Sequence, residues 1–273
     1  MVSKSWLLAI GWLAAQVILA ATPDGQVGQS TPPGGFRNAS DTGLTSPTAK
    51  KPAVLLTPEM RGDIFMAEKR FREAAEMYLE NSKGSAVMLN KTGIAYHQML
   101  QLDSALKSYQ QAIRLKKNYL EAINNIGTVY YARKNYRRSI TYYQRALKLA
   151  PQDIRSAAIY NNMGTALFAR KQYKEASEAL QTALKLDPDV FEHTSAYGVM
   201  LEERSVQERA KYHYYLAKTY AKAGQGDRAL QYIRKSIEEG FKERDKFEKE
   251  PEFAFLHENE EFKQLMTMEQ KVL

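Results

Sequence analysis

The chain has 273 residues, 44% apolar and 11% aromatic, enough to bury a sizeable core in one or two domains and too apolar for a disordered polymer. It contains no cysteine, so disulfides, thiol catalysis and thiolate-based zinc sites are all excluded. The net charge of +8 is unevenly spread, with 15 Lys/Arg against 5 Asp/Glu in residues 101–186 and 5 against 10 in residues 238–263. A basic middle can attract nucleic acid, anionic lipid or acidic polymers, although solvated helix faces produce the same composition.

Residues 1–21 read as a secretory signal peptide or N-terminal anchor: Lys4 is followed by an apolar run from Trp6 to Ala20 and then by small residues. The run is shorter than the roughly 20 residues that cross a bilayer comfortably, and Gln16 interrupts it. Cleavage is expected near Ala20 or Ala21. Residues 22–54 are rich in Gly, Pro, Ser and Thr and almost free of large apolar side chains, which predicts a flexible linker. Together these features point to an exported chain of the bacterial periplasm or envelope.

The rest of the chain repeats itself. NNIGTVYYARKNY (residues 124–136) and NNMGTALFARKQY (residues 161–173) share most of their letters. Aligning Gly93, Gly127 and Gly164 extends the pattern in both directions. Tyr96, Tyr130 or Leu167 follows three residues later; then come Ala105, Ser139 or Ala176, and Tyr109, Tyr143 or Leu180. Ala112, Ala146 and Ala183 follow, with Pro151 and Pro188 closing two of the units. The frame fits Gly62, Phe65, Ala74 and Tyr78 upstream and Ala217, Tyr220, Ala229 and Ile233 downstream, giving five units. Such spacing predicts two antiparallel helices per unit, with small positions facing large ones. Lys134-Asn135 and Lys171-Gln172 mark turns, and Gly224 is read as the equivalent turn of unit five.

This frame resembles the tetratricopeptide repeat. The resemblance implies an all-α fold, a right-handed superhelix (α-solenoid) of about five helical hairpins: units one to four over 55–187, an insertion over 188–209, and unit five over 210–241. Residues 242–273, with Phe253 and Leu256 matched in spacing to Phe262 and Leu265, are expected to form a helical cap over the last apolar face.

No histidine has a metal-binding spacing, GQG at 224–226 lacks the preceding strand of a dinucleotide loop, and no feature argues for catalysis. No cofactor is expected. The resemblance implies instead a concave groove lined by the first helix of each unit. Read onto this chain, its groove positions are Asn90 and Ile94 in unit two, Glu121, Asn124, Thr128 and Tyr131 in unit three, Asn161, Thr165 and Phe168 in unit four, and Lys211, Tyr214 and Lys218 in unit five. Asn125 and Asn162 lie beside them and could serve packing or a ligand. The expected partner is a protein or peptide whose identity the residues do not name. The carboxylate clamp of some family members is incomplete, because Glu59, Asp63, Asn90 and Ile94 occupy its places. Arg133, Lys134, Arg137, Arg138, Arg170, Lys171 and Lys174 cluster near the turns, so the alternative is an edge that contacts an anionic membrane or envelope polymer. Nucleic acid is not favoured, since no aromatic stacking series lies among these cations.

Overall fold

The computed structural model describes residues 56–192 and 205–268. The described residues from Thr57 onward belong to one compact unit. The expected signal peptide and linker lie outside the described residues, as do 193–204 within the insertion. No described helix is long and apolar enough to cross a membrane.

Thr57–Leu273 is helical throughout its described part and folds as five consecutive hairpins: α1 (Pro58–Ala67) with α2 (Phe71–Glu80), α3 (Ala86–Gln98) with α4 (Leu102–Leu115), α5 (Leu120–Ala132) with α6 (Tyr136–Leu147), α7 (Ser156–Ala169) with α8 (Tyr173–Leu186), and α9 (Val206–Lys222) with α10 (Gly226–Glu238). Helix α11 (Asp245–Lys249), a 3-10 turn (Pro251–Leu256) and α12 (Glu260–Thr267) complete it. Helix α9 starts ahead of the expected boundary at 210. The reason is local: Ser205 and Glu208 form a capping box, each side chain bonding the other's backbone N–H, which fixes the helix start at Val206.

What joins the two helices of a hairpin is a glycine seated against a large side chain sixteen positions later. A methyl group on Gly62, Gly93 or Gly127 would lie 2.2, 2.4 or 2.5 Å from the ring of Tyr78, Tyr109 or Tyr143. All three tyrosines are fully buried. In hairpin four a methyl group on Gly164 would lie 3.0 Å from the Leu180 side chain, and in hairpin five Ala217 and Ile233, both buried, hold the corresponding places. The fit loosens as the partner loses its ring, and in hairpin five it admits a methyl group.

The turns are equally regular. Lys69, Leu100, Lys134, Lys171 and Gly224 all have φ between +58° and +73°. The residue after each donates its backbone N–H to a carbonyl near the end of the first helix: Arg70 to Phe65, Gln101 to Tyr96, Asn135 to Tyr130, Gln172 to Leu167 and Gln225 to Tyr220, at 2.8–3.0 Å. A left-handed residue closing the helix with this bond satisfies carbonyls that the helix itself leaves unpaired. Four of the five turns accept the strain of a non-glycine residue there, so the closure, not residue type, defines the turn.

First helices approach their successors, α3 against α5 and α5 against α7, more closely than second helices do. The array therefore has a tighter first-helix side and a more open second-helix side. At the far end, Phe247, Phe253, Leu256, Phe262 and Leu265 are buried in one cluster with Tyr214, Tyr220 and Ile233 of hairpin five. The last hairpin's apolar face is thus covered by a non-repeating element, as a finite repeat array requires.

Gly127→Ala is expected to destabilise the protein by about 1–3 kcal/mol, because the added methyl overlaps the Tyr143 ring. Adding Tyr143→Ile, the pairing of hairpin five, should recover part of that loss in urea unfolding. His97 gives a second test. It is buried, its Nδ1 has no hydrogen-bond partner, and burial pushes its imidazole from the ordinary 6.5 down to about 4. Between those values the unfolded chain binds a proton that the folded chain refuses, so stability falls as pH drops through this window, by up to ~3 kcal/mol. Unfolding midpoints measured from pH 7 to 4.5 should fall more steeply for the native protein than for His97→Leu.

Candidate functional site

The first-helix side carries a line of amides that bond to one another. Asn125 donates from Nδ2 to Oδ1 of Asn90 at 3.0 Å, Asn124 donates to Asn125 Oδ1 at 3.3 Å, and Asn162 donates to Asn124 Oδ1 at 3.2 Å. All four are buried, and the line links α3, α5 and α7. It continues toward α9, where the Tyr212 hydroxyl donates to Asn161 Oδ1 at 3.4 Å and lies 3.3 Å from the Thr165 hydroxyl. Thr128 is turned inward, donating to the Asn125 carbonyl at 2.8 Å. Charges on this side are paired as well. Lys91 bridges Glu59 and Asp63 at 2.7 Å each. Arg155 joins Glu121 at 3.2 Å and Asp153 at 2.8 Å, and its hydrogen bonds hold the Asp153 carboxyl down to about 2.

Of the residues expected in the groove, Asn90, Asn124, Asn125, Thr128, Tyr131, Asn162, Thr165 and Phe168 are buried, while Asn161, Lys211 and Lys218 are half-buried. Burial alters what the first group can do. A buried amide acts first on its neighbours, since an unpaired polar group away from water costs about 1–3 kcal/mol. Lys218 is engaged by the cap, with Glu250 at 2.9 Å and Glu252 at 3.5 Å.

The half-buried part of the same side is an aromatic cluster between hairpins four and five. Phe168 stands edge-on to Tyr173 and Tyr212, ring centres 5.3 Å apart in each case, and to Tyr215 at 5.7 Å. Tyr173 and Tyr215 stack at 5.3 Å with planes 12° apart. The Lys211 ammonium sits 4.0 Å from the centre of the Tyr173 ring. Such a cluster joins large apolar surface to hydroxyl and ammonium groups, the mixture that protein interfaces favour. Tyr173, Tyr212 and Tyr215 were not among the expected groove residues. Tyr212 and Tyr215 follow the interruption of the repeat, so counting positions does not place them beside Phe168, and only the density of tyrosine in KYHYYLAKTY hints at them.

The basic residues are all exposed: Arg133, Lys134, Arg137, Arg138, Arg170, Lys171 and Lys174. Arg133 pairs with Asp103 at 2.5 Å, and the Arg138 guanidinium lies over the Tyr130 ring at 5.5 Å. Arg133, Lys134, Arg137 and Arg170 converge on one hollow, from which Lys171 and Lys174 are absent. Among the described residues no group of three His, Asp or Glu side chains is placed to hold a metal ion.

Helical hairpins stacked in a single line, with an internally bonded first-helix side and a capped end, define an α-solenoid whose long surfaces suit macromolecular partners. Tetratricopeptide repeat family models match residues 119–189 and 93–132. The chain is a tetratricopeptide-repeat protein. It is 33% identical over 95 residues to the ycf37 protein of Guillardia theta, a match covering 32% of this chain and about half (53%) of that relative's length. Among solved structures, MamA residues 41 to the end from Desulfovibrio magneticus is 20% identical, covering 66% of this chain and 92% of that one with a TM-score of 0.45. YrrB, described as a TPR protein with an unusual peptide-binding site, is 18% identical, covering 67% and 84% with a TM-score of 0.42.

Asn125→Ala removes the hinge of the amide line, taking from Asn90 Oδ1 the donor and from Asn124 Nδ2 the acceptor that Asn125 supplies in a buried setting. A loss of about 2–4 kcal/mol in urea unfolding is expected. Asn161→Ala, at a half-buried amide, should cost about 1 kcal/mol or less.

Proposed function

We propose that the chain is a non-enzymatic scaffold of the bacterial periplasm or envelope that holds a protein or peptide segment on the first-helix side of its array. Tetratricopeptide-repeat proteins are generally non-enzymatic scaffolds that bind protein partners. The single observation that carries the finer reading is the aromatic cluster around Phe168. Tyr173 and Tyr215 are half-buried and stacked, with Lys211 on the Tyr173 ring, and polar groups of Asn161 and Tyr212 lie close by. Large aromatic rings in a partly covered site carry most of the binding energy of typical interfaces. The buried amides beside them keep the platform rigid, which lowers the ordering cost of binding. The signal-like start of the sequence supports the envelope setting.

A second reading, attachment to an anionic membrane or envelope polymer through the basic edge, is favoured by the exposure of Lys171 and Lys174 beside the turn of hairpin four.

Crosslinking pull-down from bacterial envelope fractions separates the two. Capture of a discrete protein is expected to fall about tenfold in Tyr173→Ala/Tyr215→Ala, consistent with loss of interface aromatic anchors, and to survive moderate salt. Undiminished capture by that variant would overturn the scaffold reading. Association lost in moderate salt and in Lys171→Gln/Lys174→Gln would establish the second.

A further inference from the structure

The open second-helix side is not featureless. Between α6 and α8, with α7 as its floor, lies a furrow of about 470 Å³. Ile140, Met163 and Leu167 supply apolar surface, and Arg137 and Arg170 stand at one end. The same two arginines line the neighbouring hollow of about 490 Å³ at the turns, together with Arg133 and Lys134. Shared walls make the two spaces one channel, running from the basic edge over the seam between hairpins three and four. Four cations stand at the turn end, the apolar side chains line the floor beyond them, and the exposed Glu175 and Glu178 of α8 form part of one wall. Of the four cations, Arg133 has its partner in Asp103, whereas Lys134, Arg137 and Arg170 have no ion-pair partner among the described residues.

We propose that this channel is a second peptide-binding site, distinct from the first-helix side, and that its ligand is an extended protein segment in which several carboxylates precede bulky apolar side chains. Charge complementarity selects the acidic end, because guanidinium forks match carboxylates in geometry as well as charge. Exposed ion pairs contribute little singly, so the acidic residues must be several and the apolar floor must be used. A flat anionic bilayer fits less well. It cannot reach the apolar floor of a furrow set between α6 and α8. This site does not depend on the reading of the aromatic cluster, which belongs to another side of the array.

The test uses the full chain and fluorescence anisotropy of a short labelled peptide with a run of glutamates followed by two spaced leucines. A second peptide has serine for each leucine, and vesicles of phosphatidylcholine with and without phosphatidylglycerol form a third arm. The substituted Arg137, Thr141 and Arg170 side chains are exposed and those of Tyr173 and Tyr215 half-buried, and circular dichroism confirms that each variant is folded. The glutamate–leucine peptide is expected to bind, and to bind about tenfold more weakly to Arg137→Gln/Arg170→Gln and to Thr141→Glu, which puts a like charge in the furrow. Tyr173→Ala/Tyr215→Ala should leave its affinity unchanged. Equal binding of the serine peptide, or phosphatidylglycerol-dependent vesicle binding lost in the double arginine variant without peptide specificity, would overturn the proposal. So would a glutamate–leucine peptide that fails to bind or that binds native protein and variants alike.

Discussion

Each hairpin is held by a contact in which one residue must have no side chain so that another can have a large one. Gly62, Gly93 and Gly127 press their bare Cα against the faces of Tyr78, Tyr109 and Tyr143, and the distance between paired helices follows from that fit. Because the first three units use the same pair at the same sequence separation, their hairpins have the same thickness and stack without accumulated misfit. Hairpins four and five relax the rule together, glycine with leucine and then alanine with isoleucine. The size of one member limits the other, and alanine enters the small position in hairpin five, where its partner is isoleucine rather than tyrosine.

Once the hairpins share one thickness, the first helices are brought close enough for side chains to span neighbouring units. Asparagine suits this position because its amide both donates and accepts, so one residue can pass a hydrogen bond from the unit before to the unit after. The line through Asn90, Asn125, Asn124 and Asn162 uses both roles. It steps from Asn125 to Asn124 within α5, which explains why α5 carries two asparagines side by side. A neutral amide line costs less to bury than a line of charges and fixes the register of units more narrowly than apolar packing does.

Much of this was legible from spacing alone. The glycine and tyrosine positions, five units, the turn at Gly224 and the matched apolar residues of the cap all follow from helical periodicity, since each concerns contacts within one unit or between adjoining helices. Three features were not legible for a common reason. The bonding among the asparagines depends on how near α3, α5 and α7 come, the Phe168 cluster depends on where the chain returns after the interrupted repeat, and Lys218 meets Glu250 and Glu252 from a segment with no repeat pattern. Periodicity tells which side a residue faces, not what stands opposite. The left-handed turn at Leu100 was hidden differently: leucine gives no sign of a positive φ, and only its equivalence to Lys134 and Gly224 reveals it.

The two long sides therefore offer different chemistry for a physical reason. On the first-helix side, close approach forces polar groups to satisfy each other, so ion pairs such as Lys91 with Asp63 and Arg155 with Glu121 close internally. What remains for a partner there is aromatic surface with a few hydroxyls and amides at its margin. On the second-helix side the helices diverge, and side chains at the turns reach into water, Lys134, Arg137 and Arg170 with no ion-pair partner among the described residues. Cations can accumulate there at small cost, because solvent screens their mutual repulsion within about 10 Å at ordinary ionic strength. A basic edge is thus easy for this fold to carry. Its meeting with an apolar seam at Arg137 and Arg170 is what turns solvated charge into a shape that a particular partner could recognise.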